Sequence, residues 1–134
     1  DMGILLITHD LGVVAQVADR VSVMYGGQIV EEAPVDDLFY SPMAPYTLGL
    51  LKSVPRVSAG NERLKAIPGQ PPSLINLPKG CAFSSRCEYK NLAGVDCDNT
   101  PVPLTAAGAN HQARCHIAAD VRREKFLKEV AGLK

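Results

Sequence analysis

Cys81, Cys87, Cys97 and Cys115 are separated by five, nine and seventeen residues, in a stretch interrupted by prolines and poor in large apolar side chains. A loop-rich unit of that composition needs a cross-link to hold a fold. Two disulfides could supply it, through any of three pairings, but they suit an oxidising compartment. A structural zinc could take four thiolates, or three with His111 or His116, although the close Cys-x-x-Cys knuckles common at such sites are missing. An iron–sulfur cluster takes four thiolates and accepts wider spacing, because its ligands come from loops around a larger body. Arg86, Arg114 and the backbone amides near Gly80 could offset the charge of a thiolate set. They could equally be ordinary surface groups. Spacing alone leaves all three cross-links open.

A second candidate is His9, in Ile4-Leu5-Leu6-Ile7-Thr8-His9-Asp10-Leu11. The unbroken apolar run predicts a strand of a parallel sheet covered on both faces. Asp10 then predicts a helix N-cap, with Leu11, Val14, Ala15 and Ala18 on one face of a helix running to about Asp19. His9 would thus stand where a buried strand gives way to a helix, the edge at which open α/β sheets bind ligands. A lone histidine is also commonly a packing or surface residue.

The elements that must position these residues follow from local pattern. Val21 to Tyr25 alternates, Gly26-Gly27 accepts positive φ, and Gln28 to Glu31 resumes strand character, which predicts a β-hairpin. Strand, helix and hairpin together read as the closing section of an α/β domain. Val35 to Tyr40 predicts a short helix stopping before Ser41-Pro42, and Pro45 opens another with Leu48, Leu50 and Leu51 toward the core. From about Pro55, repeated prolines open a second, loop-rich unit. Ile117 to Leu133 closes it as an amphipathic helix with Val121, Phe126, Val130 and Leu133 inward and Arg122, Arg123, Lys125 and Lys128 in the solvated face. The expected division is therefore 1–54 and 55–134. Asp1-Met2-Gly3, running almost at once into a buried-type strand, predicts a chain that begins inside a domain and a strand whose bare edge favours self-association.

Fourteen basic and fourteen acidic residues cancel, so no basic field points to nucleic acid. No apolar run approaches the roughly 20 residues that span a bilayer. The N-terminus carries no secretory pattern, so a cytoplasmic chain is expected.

Leu6-Ile7-Thr8-His9-Asp10-Leu11, Val17-Ala18-Asp19-Arg20-Val21 and Val23 to Glu31 together resemble the end of an ABC-type ATPase domain. Leu38-Phe39-Tyr40-Ser41-Pro42, Pro45 to Leu51, Ile67-Pro68-Gly69 and Gly80-Cys81-Ala82-Phe83-Ser84-Ser85-Arg86-Cys87 are similar to the segment and cysteine-containing extension of the oligopeptide and dipeptide importers. The resemblance implies an α/β fold: the C-terminal part of a nucleotide-binding domain, then a small cysteine-bearing extension with a terminal helix. It implies that His9 is the switch histidine contacting the γ-phosphate. It also implies that Cys81, Cys87, Cys97 and Cys115 ligate a [4Fe-4S] cluster, with zinc as the alternative. The implied partners are a second ATPase subunit and membrane permease subunits, at the inner face of the bacterial membrane, with ATP and magnesium bound by the full-length subunit. No Gly-x-x-x-x-Gly-Lys-Ser/Thr loop, Leu-Ser-Gly-Gly-type signature or magnesium-orienting acidic strand end occurs here, so this chain alone is expected to be inactive. The rival reading is a stand-alone zinc- or iron–sulfur-binding interaction module.

Overall fold

The structure, a computed structural model, describes residues 2–55 and 65–133. The expected start of the second unit, just after Pro55, runs into residues that lie outside that description.

Helix α1, Leu11–Val17, is capped as expected: an Asp10 Oδ accepts from the backbone N–H of Gly12 at 2.8 Å and of Val13 at 3.2 Å. It stops at Val17 because Ala18 is extended. Strands β1, Arg20–Tyr25, and β2, Gln28–Pro34, form the predicted hairpin. Gly26 at φ 57° and Gly27 at φ 76° make its turn, and two successive positive φ values select glycine. Helix α2, Val35–Tyr40, ends before Ser41-Pro42, whose proline disfavours helical backbone at the residue before it. Helix α3, Pro45–Ser53, begins on its proline and buries Leu48 and Leu51, with Leu50 half-buried.

The strand expected at Ile4–Ile7 does not form. These residues lie outside every described helix and strand, and Ile4 and Ile7 are 82% and 91% exposed. A doubly covered strand is stable only with neighbours on both edges and a layer on both faces, and the described residues provide neither. For the same reason the apolar face of α1 stays shallow: Leu11, Val14 and Ala18 are half-buried and Ala15 is exposed.

The sheet is instead antiparallel and extends into the cysteine-bearing half. Strands β3, Thr105–Gly108, and β4, His111–Ala113, give the order β1-β2-β4-β3. β4 lies along β2 with Glu31 opposite Ala113 and Glu32 opposite Gln112. Two short 3-10 turns, Ser84–Arg86 and Lys90–Leu92, shape the loop carrying the first cysteines. The closing helix α4, Ala119–Ala131, buries Arg122, Phe126 and Val130. Its inward face is therefore rotated from the expected one. Phe126 and Val130 set the line, the residue four positions earlier is Arg122, and Val121 is turned out to 40% exposure.

The core has two main parts. Val23, Tyr25, Val30 and Leu38 from the hairpin and α2 pack with Phe83, and the Tyr25 ring centroid lies 4.6 Å from that of Tyr46 and 5.2 Å from that of Phe83. Leu48, Tyr89, Ile117, Phe126 and Val130 form the other part, with Cys87 and Cys115 against it.

Candidate functional site

All four cysteines line one cavity, with walls from β2 (Val30), the entry to α3 (Pro45, Tyr46) and Arg114. Its closure begins at Gly80. The Gly80 N–H donates to the Asp98 carbonyl at 3.0 Å and the Cys81 N–H to the Cys97 carbonyl at 2.8 Å, clamping the first and third cysteine segments together. A Cβ on Gly80 would lie 2.2 Å from the Cys97 carbonyl oxygen, so the clamp requires glycine. Asp98 reinforces it by accepting from Ser84 Oγ at 2.7 Å and Lys90 Nζ at 2.6 Å. The 3-10 turn at Ser84 then carries the chain to Cys87, whose N–H donates to the Ser84 carbonyl at 3.3 Å. Cys115 is placed differently, by the sheet. Just before it, Arg114 donates from its backbone N–H to Val30 O at 2.8 Å, and from its side chain to Ile29 O at 2.9 Å and Val102 O at 2.8 Å.

The thiols are free, Cys97 buried and the others half-buried. Burial pushes all four above the ordinary thiol value, Cys87 to about 12. Backbone amides oppose this: those of Phe83 and Ser84 at Cys81, of Tyr89 at Cys87 and of Ile117 at Cys115. At Cys81, Cys87 and Cys115, an N–H two residues further on therefore favours the thiolate. Cys87 is pushed up further by its neighbours Cys115, Cys81 and Cys97. Among the described residues, no three His, Cys, Asp or Glu side chains converge on a point that would hold a single metal ion.

The other sequence candidates separate. His116 lines the cavity, with Nε2 2.8 Å from Thr100 O. His111 is not in the cavity wall; its Nε2 lies 2.6 Å from Glu31 Oε1. Of the groups expected to balance thiolate charge, Arg114 lines the cavity, whereas Arg86 holds the loop before it. Arg86 donates to Pro68 O at 2.8 Å, Ile67 O at 3.3 Å and Tyr25 OH at 3.3 Å. The Gly80 amide is spent on the clamp. His9 is exposed just before α1, apart from the cavity wall.

Residues 30–93 match the family model for the oligopeptide/dipeptide transporter, C-terminal region. This chain carries that C-terminal region. It is similar to the oligopeptide transport ATP-binding protein OppD of Bacillus subtilis, 62% identical over 66% of this chain and 25% of the relative. It is also similar to the dipeptide transport ATP-binding protein DppD of the same organism, 46% identical over 86% of this chain and 33% of the relative. OppD of Haemophilus influenzae is 43% identical over 87% of this chain and 35% of the relative. The chain thus spans about a third or less of the length of these relatives.

Within the transporter C-terminal region lies a residue that sequence reasoning passed over. Glu31, on β2, is 0% exposed and accepts from Met43 N at 2.6 Å and Ala44 N at 2.9 Å, besides its contact with His111. Its signal was phase: Glu31 falls two residues from both Ile29 and Ala33, on one face of β2. Arg122, beyond the family match, is 3% exposed and donates from a terminal guanidinium nitrogen to Met43 O at 2.7 Å. Lys52 joins α3 to α4 through Glu129 at 2.9 Å, and joins α3 to the cysteine-bearing loop through Glu88 at 3.1 Å and Tyr89 OH at 2.7 Å. Burial lowers the pKa of Lys52, but bonds to Glu129, Tyr89 and Glu88 outweigh it and hold the ammonium above its ordinary value.

Proposed function

We propose that this chain is part of the ATP-hydrolysing subunit that powers oligopeptide or dipeptide import across a bacterial inner membrane. The observation that carries this reading is the match of 86% of the chain to a dipeptide transport ATP-binding protein. No helix among the described residues is long and apolar enough to cross a membrane, which fits a subunit lying at the inner face beside permease subunits. Residues 1–54 belong in this reading to the end of the nucleotide-binding domain and 55–134 to the extension. His9 contacts the γ-phosphate and positions the attacking water at a site completed by the rest of the subunit and a second ATPase subunit. The exposure of His9 and of the apolar run before it supports a surface that another part of that assembly covers. In the assembled importer, His9→Ala lowers ATP hydrolysis by about two orders of magnitude with nucleotide still bound. Hydrolysis at the unaltered rate refutes the role.

Cys81, Cys87, Cys97 and Cys115 hold a [4Fe-4S] cluster in this reading. All four cysteines line one cavity and amides aimed at three of them favour the thiolate, which supports one shared thiolate-bound group there. When bound, the cluster supplies a four-way cross-link and one-electron chemistry. The protein's own part is to keep the four sulfurs apart and shielded from water. About four iron and four sulfide per chain after anaerobic purification is the expected result. About one zinc, or two disulfides without metal, refutes it.

The self-contained sheet β1-β2-β4-β3 favours the second reading, a free-standing metal-binding module. The two differ in solution: the exposed Ile4 to Ile7 run makes the isolated chain self-associate if it is a piece of a motor. A monomer by light scattering favours the module.

A further inference from the structure

Pro42-Met43-Ala44-Pro45 leads from α2 into the first turn of α3, and its two prolines have no N–H. Its only backbone donors are therefore the amides of Met43 and Ala44. Both go to one carboxylate: Glu31 on β2 accepts from Met43 N at 2.6 Å and from Ala44 N at 2.9 Å. The two carbonyls diverge. That of Ala44 takes the Leu48 N–H at 3.1 Å and so opens α3, whereas that of Met43 takes a terminal guanidinium nitrogen of Arg122, on α4, at 2.7 Å. Glu31, Met43, Ala44 and Arg122 are all buried, so water does not compete for these bonds.

The Met43 carbonyl and the Ala44 N–H belong to one trans peptide group and point in opposite directions. A cation thus stands at one end of that amide and a carboxylate at the other. Each polarises the amide in the sense that strengthens the other's bond. The peptide therefore couples two buried charges that do not touch: among the described residues, no hydrogen bond or ion pair joins Glu31 to α4 or Arg122 to β2. Glu31 is also held by His111 Nε2, on β4, at 2.6 Å. Two of the elements that meet here, β2 and the entry to α3, lie within residues 1–54, and the other two, β4 and α4, within 55–134.

We propose that the Met43–Ala44 peptide is a bolt between Arg122 and Glu31 that fastens α4 to the hairpin, so that the cysteine-bearing half moves with the hairpin as one body instead of hinging on it. The inference does not depend on what the cysteines bind. Apolar packing of Phe126 and Val130 also seats α4, but it gives Glu31 no hold on that helix. The bolt does.

Native-state hydrogen exchange, read by mass spectrometry on the full-length protein that carries this region, is the test. Wild type, Glu31→Gln, Arg122→Gln and the double variant are compared. Arg123→Gln, alone and with Glu31→Gln, controls for the other bond from α4 to the sheet, from Arg123 to Ala107 O at 2.8 Å. Glu31→Gln is expected to raise the opening equilibrium of α4 about fivefold, the coupling of members of one hydrogen-bond network. The same substitution should add less than about twofold once Arg122 is Gln, and should keep its full effect when Arg123 is Gln. An effect of Glu31→Gln on α4 that is as large without Arg122 as with it, or no effect at all, overturns the inference. If Arg122→Gln does not fold, the wild type decides as denaturant is raised in small steps: amides of α4 and of the entry to α3 that merge into one opening support the bolt, and an α4 that opens separately at lower denaturant overturns it.

Discussion

Truncating Glu31 to alanine removes the acceptor of three buried donors at once: Met43 N at 2.6 Å, Ala44 N at 2.9 Å and His111 Nε2 at 2.6 Å. The two amides sit at the turn into α3 and are buried with the residues that carry them, so water does not readily replace the carboxylate. Each orphaned buried donor costs about 1–3 kcal/mol. Three such donors, at the lower half of that range, make about 4 kcal/mol the expected loss for Glu31→Ala. Glu31→Gln keeps one acceptor oxygen but turns an NH2 group toward a donor, so about 2 kcal/mol is expected. Urea unfolding of the chain, followed by circular dichroism at several wavelengths to establish two-state behaviour, reads both values. A cycle with His111→Ala divides the effect: coupling well below the Glu31→Ala loss assigns most of the role to the α3 amides. A loss under about 1 kcal/mol for Glu31→Ala would show that the buried carboxylate is not the joint described here.

Gly80→Ala forces a methyl group against the backbone of Cys97 and Asp98, so a loss of about 1–3 kcal/mol is expected, with accelerated alkylation of Cys81 and Cys97 in peptide mapping; unchanged alkylation counts against the clamp. Phe126→Ala empties the centre of the second core cluster and should cost about 3–5 kcal/mol in urea unfolding. The bond from Lys52 holds Glu129 below the usual carboxylate value, so near pH 4 the unfolded chain binds more protons than the folded one and stability rises with pH. That contribution is complete above the unfolded glutamate value of about 4.3 and is lost as pH falls through the lower folded one. The urea midpoint should thus drop on acidification from about pH 5 to 3, and Glu129→Gln should flatten the drop by up to about 1 kcal/mol, the small size reflecting partial exposure.

What could be read in the sequence was local. Gly26-Gly27 between alternating runs determines the hairpin, and Pro34, Pro42 and Pro45 punctuate α2 and α3 by removing conformations. β3 and β4 were not legible because, Thr105 apart, they lack the β-branched residues and the Phe, Tyr or Trp that mark strands; they are strands through their pairing, β4 with β2 far back in the chain. Ile4 to Ile7 failed for the opposite reason, having the composition of a buried strand but no described partner to pair with. The number and crowding of the cysteines were enough to expect one shared site. The burial of Arg122 was not readable, because it sits in a run of basic residues that looks solvated, and only the phase set by Phe126 and Val130 turns it inward.

The placement of Cys115 ties that site to the sheet. Arg114 binds the Ile29 and Val30 carbonyls, and His111 meets Glu31, so three successive positions of β2 are held by the strand that delivers the fourth cysteine. The other three cysteines are arranged by the Gly80 clamp and the turn at Ser84, neither of which touches β2 through its backbone bonds. Any group bound by all four thiols must therefore join two pieces of structure that are otherwise connected through apolar packing and side-chain bonds such as Arg86 to Tyr25 OH, Arg114 to Val102 O and His116 to Thr100 O. Binding that needs both pieces in place favours the folded state over the unfolded one by an amount set by affinity and free ligand. Conversely, loosening the β2–β4 pairing moves Cys115 away from the other three cysteines, so any group held by all four would be linked to the hairpin in both directions.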